Sequence, residues 1–219
     1  MELVKRKTNG YSPSFFVRFF YRFSDIIIGL IGCIITLLLI VFVKIAYVKD
    51  GDRYPVIYTQ ERIGLNGKLF KIYKIRTMVP NADKILEDLM AKDEKIREEY
   101  NKNKKLENDP RVTRIGNKLR RTSLDEFPQF FNVLIGNMTL VGPRPYLPRE
   151  IKDMEDTYFT IIQCKPAITG PWQVGGRSEI DFKERCEIDV RYIYEKTLMK
   201  DIRIFLRTIK SVILKDGAK

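Results

Sequence analysis

The strongest pattern in the chain is an apolar run over residues 26–43, eighteen residues without a charge, closed by Lys44. Fourteen of these are Leu, Ile, Val or Phe. As one helix the run is roughly 27 Å long, close to the ~30 Å of a hydrocarbon core. At roughly −0.3 to −0.6 kcal/mol per residue, insertion gains at most about 4–8 kcal/mol. No A-x-A-like cleavage site follows, which argues against a signal peptide. A buried core helix is the bland alternative, but such helices are rarely uncharged on every face. Upstream, Phe15, Phe16, Phe19, Phe20 and Phe23 surround Arg18 and Arg22, a mixture suited to lipid headgroups. The pattern predicts a membrane-anchoring segment over 1–48. Basic residues precede the run (Lys5, Arg6, Lys7, Arg18, Arg22) and follow it (Lys44, Lys49, Arg53, Arg62). Flanks basic on both sides favour a hairpin that enters and leaves one leaflet over a full span.

Beyond the run the pattern shortens. Residues 56–59 and 69–76 read as two strands joined by a turn over 64–67, Gly-Leu-Asn-Gly. Residues 82–107 are highly charged, with Ile85, Leu86, Leu89, Met90, Ile96 and Tyr100 among them, and predict a solvated helix or helical hairpin. Residues 198–214 are amphipathic. Leu198, Ile202, Phe205, Leu206, Ile209 and Ile213 fall near one face, and Lys200, Arg203, Arg207 and Lys210 lie largely apart. The basic face tilts this segment toward a helix on a membrane surface. The expected fold class is α+β, mostly α. It is a single membrane-anchored domain with a hairpin or span, a short β-hairpin and amphipathic interfacial helices. Residues 49–219 form the remainder of the domain.

Composition narrows the chemistry. Lys and Arg number 40 against 28 Asp and Glu, a net charge of +12 that asks for anionic partners. There is no histidine, which removes histidine triads, histidine metal ligands and histidine general bases. Cys33, Cys164 and Cys186 form no C-x-x-C pair, so zinc and redox-motif readings fail. Catalysis is left to carboxylates, cations, hydroxyls or a hard metal.

The densest stretch is 109–150. Arg111, Arg114, Lys118, Arg120 and Arg121 make a basic cluster, and Asp125-Glu126 an adjacent carboxylate pair. Ser123-Leu124-Asp125-Glu126 matches a capping box, which predicts a helix start at Ser123 and gives the acids a bland role in its first turn. Gly142-Pro143-Arg144-Pro145 is a stiff loop presenting one arginine. Carboxylates and arginines together in a histidine-free chain suit phosphoryl transfer, in which an aspartate can be the nucleophile and a neighbouring glutamate can hold Mg²⁺. Residues 165–177 carry the single tryptophan, Trp172, and a Gly175-Gly176 pair that reads as a hairpin turn.

Three motifs in this order, TQERIGLNGKLFKIYKIRTM (59–78), DPRVTRIGNKLRRTSLDEFPQFFNVLIGNMTLVGPRP (109–145) and KPAITGPWQVGGRS (165–178), resemble the bacterial sugar transferases, monotopic polyprenyl-phosphate phosphoglycosyl transferases. The resemblance implies transfer of a sugar-1-phosphate from a UDP-sugar to polyprenyl (undecaprenyl) phosphate at the cytoplasmic face of the bacterial inner membrane. That step initiates capsule, exopolysaccharide, O-antigen or glycoprotein glycan synthesis. It implies Asp125 as the nucleophile that forms a phosphosugar intermediate and releases UMP, and Glu126 as the Mg²⁺ ligand. Arg144 and Arg121 would bind phosphate, with Lys74 and Arg76 beside them; Gln173 and Arg177 are further site candidates. The expected partners are UDP-sugar, polyprenyl phosphate and anionic membrane lipid, with no nucleic acid and a homo-oligomer left open. The family's membrane segment breaks at a Ser-Pro pair, whereas this chain has Leu37-Leu38 there. Lacking the upstream regions of larger members, the chain reads as a minimal catalytic unit. The competing reading is a membrane-anchored nucleic-acid binder or a scaffold, which explains the charge but leaves the acids and the Gly-Pro-Arg-Pro loop idle.

Overall fold

The computed structural model describes residues 14–175 and 180–214. Its N-terminal element is one unbroken helix, α1 (Phe15–Lys49), capped by the Ser14 side chain. The chain does not turn back inside the apolar run. No proline interrupts the hydrogen-bond ladder there, and Thr36 Oγ1 donates to the Gly32 carbonyl within the helix. The expected hairpin is therefore corrected to a continuous helix of 35 residues, about 52 Å long.

One narrow stripe of α1 is buried: Asp25, Gly29, Gly32, Thr36, Val43 and Tyr47. The steps of three, four and seven along it follow the helical repeat. The stripe is polar or small at its N-terminal end because the backbone it meets is close. A Cβ on Gly32 would stand 2.1 Å from Cγ of Phe130, so only glycine lets the two helices approach this far. Asp25 accepts from the Thr139 hydroxyl and the Leu140 N–H. Arg22 donates to the carbonyls of Val133 and Leu134 at the end of the helix it meets, a cationic cap.

The strands β1 (Ile57–Ile63) and β2 (Leu69–Ile75) pair antiparallel in register from Ile57↔Ile75 to Ile63↔Leu69. Asn66, left-handed at φ 56°, lets the chain reverse between them. The charged segment folds as α2 (Ala82–Lys92) and α3 (Glu94–Asn103). It is broken at Asp93, whose extended backbone ends one helix and whose carboxylate caps the next. Next come α4 (Arg114–Arg121), a 3₁₀ turn (Leu124–Glu126), α5 (Gln129–Ile135) and β3 (Thr139–Val141). After the short helices α6 (Ile151–Met154) and α7 (Thr157–Ile161), β4 (Ala167–Thr169) lies parallel to β3. The chain then forms α8 (Pro171–Gly175), α9 (Phe182–Tyr194) and α10 (Leu198–Leu214). Residues 171–175 are helical, Pro171 beginning the helix readily, while the turn read at Gly175-Gly176 runs onto Gly176, which lies outside the described residues.

Two apolar clusters hold these elements. Ile72, Val133, Met138, Tyr146, Met154, Cys186 and Tyr192 centre the larger one. The smaller joins α1 to the rest of the chain through Val43, Tyr47, Val56, Ile75 and Leu119. The apolar residues of α10 divide in two, and of the expected face only Phe205 packs on the core, beside Ile204, which lay outside that reading. Ile204 is buried and Phe205 half-buried against the larger cluster, while Met199, Ile202, Leu206 and Ile209 stay exposed.

Candidate active site

The acid pair does not begin a helix. Ser123 is left-handed at φ 56° and its side chain caps nothing, so the predicted capping box is absent. The reversal at Ser123 lifts Leu124, Asp125 and Glu126 into the 3₁₀ turn between α4 and α5. Pro128, which has no N–H to leave unpaired, then opens α5. Asp125 is buried at 9% exposure and Glu126 is half-buried.

Both acids line an open groove of about 1720 Å³, with Arg62, Lys74, Arg120, Arg144 and Trp172 on its walls. That is roomier than the ~300–1,000 Å³ of an ordinary small-ligand pocket. Lys74 comes from β2 and its Nζ lies 2.9 Å from Glu126 Oε1. Burial works against the Glu126 charge, but Lys74 and Arg144 outweigh it and hold the carboxyl below its usual range. Asp125 moves the other way. Burial pushes it up, the Glu126 charge adds to the push, and Lys74 and Arg120 pull back. Two adjacent acids are thus separated by their surroundings: Glu126 is held ionised, and Asp125 is pushed up to about 6.

The Gly-Pro-Arg-Pro loop is fixed from three sides. Gly142 N–H donates to the Thr169 carbonyl, Ala167 N–H to the Pro143 carbonyl, and Arg62 Nη1 to the Pro145 carbonyl. Asp189 of α9 accepts from the Arg144 N–H at 3.2 Å and from the Tyr146 hydroxyl at 2.9 Å. The loop so held places the Arg144 guanidinium 5.6 Å from the Trp172 ring centre, and no carboxylate among the described residues pairs with it. A cation stacked on an aromatic face without a carboxylate partner is suited to an anionic ligand.

The sequence candidates separate on these contacts. Asp125, Glu126, Lys74, Arg144 and Gln173 come together in the groove wall. Arg76 touches the groove, but its guanidinium is already committed to Asp52, the Pro55 carbonyl and the Met78 carbonyl. It locks structure rather than awaiting a phosphate. Arg121 is exposed and does not line the groove; its neighbour Arg120 does, with Nε on Thr77 Oγ1. Arg177 lies outside the described residues. Two groups were missed. Arg62 is buried, with a guanidinium Nε that meets no hydrogen-bond partner among the described residues. Its signal was an arginine inside an amphipathic strand. Asp189 gave none beyond a carboxylate in a helix.

Among the described residues no three metal-ligating side chains cluster. That does not conflict with Mg²⁺, which keeps several waters and takes one or two carboxylates plus substrate phosphates. Two adjacent hard oxygen donors facing the groove fit such an ion.

In comparison with known proteins, the family model described as bacterial sugar transferase matches residues 16–215. The chain belongs to that family. It is 43% identical over 201 residues to an undecaprenyl-phosphate galactose phosphotransferase of Salmonella typhimurium, covering 92% of this chain and 42% of that protein. It is 35% identical over 197 residues to the exopolysaccharide production protein ExoY of Sinorhizobium fredii, covering 90% and 87%. A UDP-glucose:undecaprenyl-phosphate glucose-1-phosphate transferase of Escherichia coli is 39% identical over 171 residues, covering 74% and 33%. The chain thus spans less than half the length of the Salmonella relative. This sugar transferase chain holds the groove and both acids within the matched region.

Proposed function

We propose that the protein is a phosphoglycosyl transferase that moves a sugar-1-phosphate from a UDP-sugar to undecaprenyl phosphate, releasing UMP. The reading is carried by the acid pair: a nearly buried aspartate beside an ionised glutamate, in a groove where Arg144 has no carboxylate partner.

In the first step a carboxylate oxygen of Asp125 attacks the phosphorus that bears the sugar. A new P–O bond forms, the bond to the UMP oxygen breaks, and UMP leaves with that electron pair. Asp125 then carries the sugar phosphate as an acyl phosphate. In the second step a phosphate oxygen of the lipid acceptor attacks the same phosphorus. The aspartyl oxygen leaves and the lipid diphosphate sugar departs. Arg144 and Arg120 hold the phosphate oxygens in both steps, where donors fixed in advance stabilise developing charge. Lys74 keeps Glu126 ionised and in place. Glu126, with Asp125 adjacent, would hold Mg²⁺, which would supply positive charge against the phosphates.

Attack by a carboxylate needs the ionised form, which Lys74 and Arg120 favour against the burial of Asp125. Because one aspartate serves both halves, two bulky substrates use the groove in turn. The relatives named above act in galactose, glucose and exopolysaccharide chemistry, so the donor is chosen by screening UDP-galactose and UDP-glucose first. The site works at the cytoplasmic face of the inner membrane, where a soluble donor and a lipid acceptor meet. Competition for the groove by RNA, the alternative raised by charge alone, has no support from these relatives.

The test is Asp125→Asn. The variant should fold, lose UMP release by on the order of 10³-fold or more, and give no phosphosugar adduct by intact mass spectrometry. Release near the wild-type rate rejects Asp125 as nucleophile.

A further inference from the structure

We propose that Arg62 and Arg144 together form a subsite for a phosphate monoester, filled first by the phosphate of departing UMP and then by the phosphate of the lipid acceptor. Arg144 holds the phosphate and Arg62 is its positioning residue. Naming these two occupants rests on the proposed function; the subsite itself rests on the geometry around Arg62.

That geometry begins in the strands. Residues opposite one another in an antiparallel pair share a face, as do residues two apart. Tyr58, Gln60 and Arg62 of β1 therefore stand on the same face as Lys74 of β2, which opposes Tyr58, and all four line the groove. Arg62 is only 7% exposed. Its Nη1 donates to the Pro145 carbonyl at 2.9 Å and its Nη2 to Gln60 Oε1 at 2.7 Å. Both acceptors are neutral, and Nε meets no hydrogen-bond partner among the described residues.

A buried cation normally sits against a carboxylate, because burial strips its water and leaves the charge uncompensated. Arg62 forms no ion pair among the described residues. The acids whose charge reaches it are Glu150 and Glu126, and both are engaged elsewhere: Glu126 with Lys74, Glu150 with the Leu147 N–H. Burial, and after it the charge of Arg144, push the Arg62 guanidinium down to about 10. Bringing two such cations near one another opposes folding. A phosphate carrying two negative charges offsets both.

Arg62 also aims Arg144. Pro145 follows Arg144 directly, so the Nη1 bond fixes the backbone on one side, and Asp189 fixes it on the other through the Arg144 N–H. Chemistry then selects the phosphate. Arg120 acts on Asp125, whereas Arg62 and Arg144 act on Glu126. The transferred phosphorus lies against Asp125. In an in-line displacement the leaving oxygen stands opposite the attacking one, so the UMP phosphate lies beyond, away from Asp125. As the P–O bond breaks, that phosphate passes from one negative charge toward two, and cations fixed there stabilise the charge as it develops. The acceptor attacks the aspartyl phosphate along the same line. Its phosphate therefore takes the place that UMP has left.

Trp172 is the single tryptophan of the chain and stacks on Arg144, so its fluorescence reports on this subsite. Arg185, the other cation near that ring, is committed to the carbonyls of Ile180 and Asn103. The full chain, in detergent micelles with Mg²⁺, is titrated with UMP, with inorganic phosphate and with a short polyprenyl phosphate. In the wild type each should change the Trp172 emission saturably, and the polyprenyl phosphate should displace UMP. Arg62→Gln keeps a donor for the Pro145 carbonyl and loses the charge; Arg62→Lys keeps the charge. The Gln variant should weaken UMP binding by roughly 10- to 100-fold, the scale of one charge-assisted interaction, and the Lys variant by less. A merely structural anchor predicts equal losses or the reverse order, and either result overturns the subsite. So does binding by the Gln variant within about twofold of wild type. Should that variant not fold, the wild type decides: UMP binding seen by calorimetry without a change in Trp172 emission, or UMP and polyprenyl phosphate bound together, overturns the proposal. UMP release from UDP-galactose and UDP-glucose is measured alongside. No release, with UMP affinity lost in Arg62→Gln, sinks the proposed function and leaves a phosphate subsite standing; release with unchanged affinity in that variant does the reverse.

Discussion

At the scale of single residues, the site depends on which of two adjacent arginines faces the groove. Arg120 and Arg121 are chemically identical and about 100° apart on α4, so only packing separates them. Gly116 and Leu119 are the buried positions of that helix, and the direction they set sends Arg120 toward Thr77 and the groove. A charge-assisted hydrogen bond to phosphate contributes about 1.5–3 kcal/mol. Arg120→Ala should therefore lower UMP release per unit of donor by roughly 10- to 100-fold, while Arg121→Ala changes it less than about twofold. Steady-state kinetics with the accepted UDP-sugar decide it, and the reverse ranking would return the phosphate contact to Arg121. The same limit explains Ser123. The S-x-x-E pattern of a capping box was legible, but the left-handed backbone that cancels it follows from how α4 and α5 meet. That Asp125, Glu126, Lys74 and Arg144 meet in one groove was legible because their motifs are long. Arg76 was in a motif too, yet its neighbours had already taken its donors.

At the scale of elements, α1 was legible as apolar and its attachment was not. The pattern of hydrophobic residues reports what a helix avoids, and here nearly every face avoids water. The stripe that binds the fold is marked instead by small and polar exceptions: Asp25, Gly29, Gly32 and Thr36. Those exceptions are a second signal in and beside the run, because they mark a contact. Gly32→Leu tests this. The new side chain meets the Phe130 ring and must push α5 away, which should cost about 1–3 kcal/mol. Thermal unfolding in detergent micelles should show the loss, and adding Phe130→Ala should recover part of it. Leu37→Ala, on an exposed face, should stay within about 0.5 kcal/mol of wild type. Equal melting of Gly32→Leu and wild type removes the contact.

At the scale of the whole molecule, stability and site share a buried acid. Asp189 is fully buried, and burial pushes its carboxyl up to about 7 despite the hydrogen bonds from Tyr146 and Arg144. An unfolded aspartate titrates near 3.9. Between about pH 4 and pH 7 the folded chain holds a proton that the unfolded chain has released. The contribution of this group to stability is thus largest below pH 4 and falls as pH rises through 7. Asp189→Asn does not titrate. Relative to wild type its stability should rise with pH across that window, by at most about 1.4 kcal/mol per pH unit. Melting curves at intervals from pH 5 to pH 8 measure the slope; a difference that stays constant with pH excludes the buried proton.

The smaller apolar cluster draws Val43 and Tyr47 of α1 together with Val56, Ile75 and Leu119, and Leu124 packs on it next to Asp125. Trimming the gene to begin after Lys49, the usual route to a detergent-free fragment, would strip the floor from under Asp125, the proposed nucleophile. Purification and crystallisation of a working enzyme therefore require the greasy leader to stay attached.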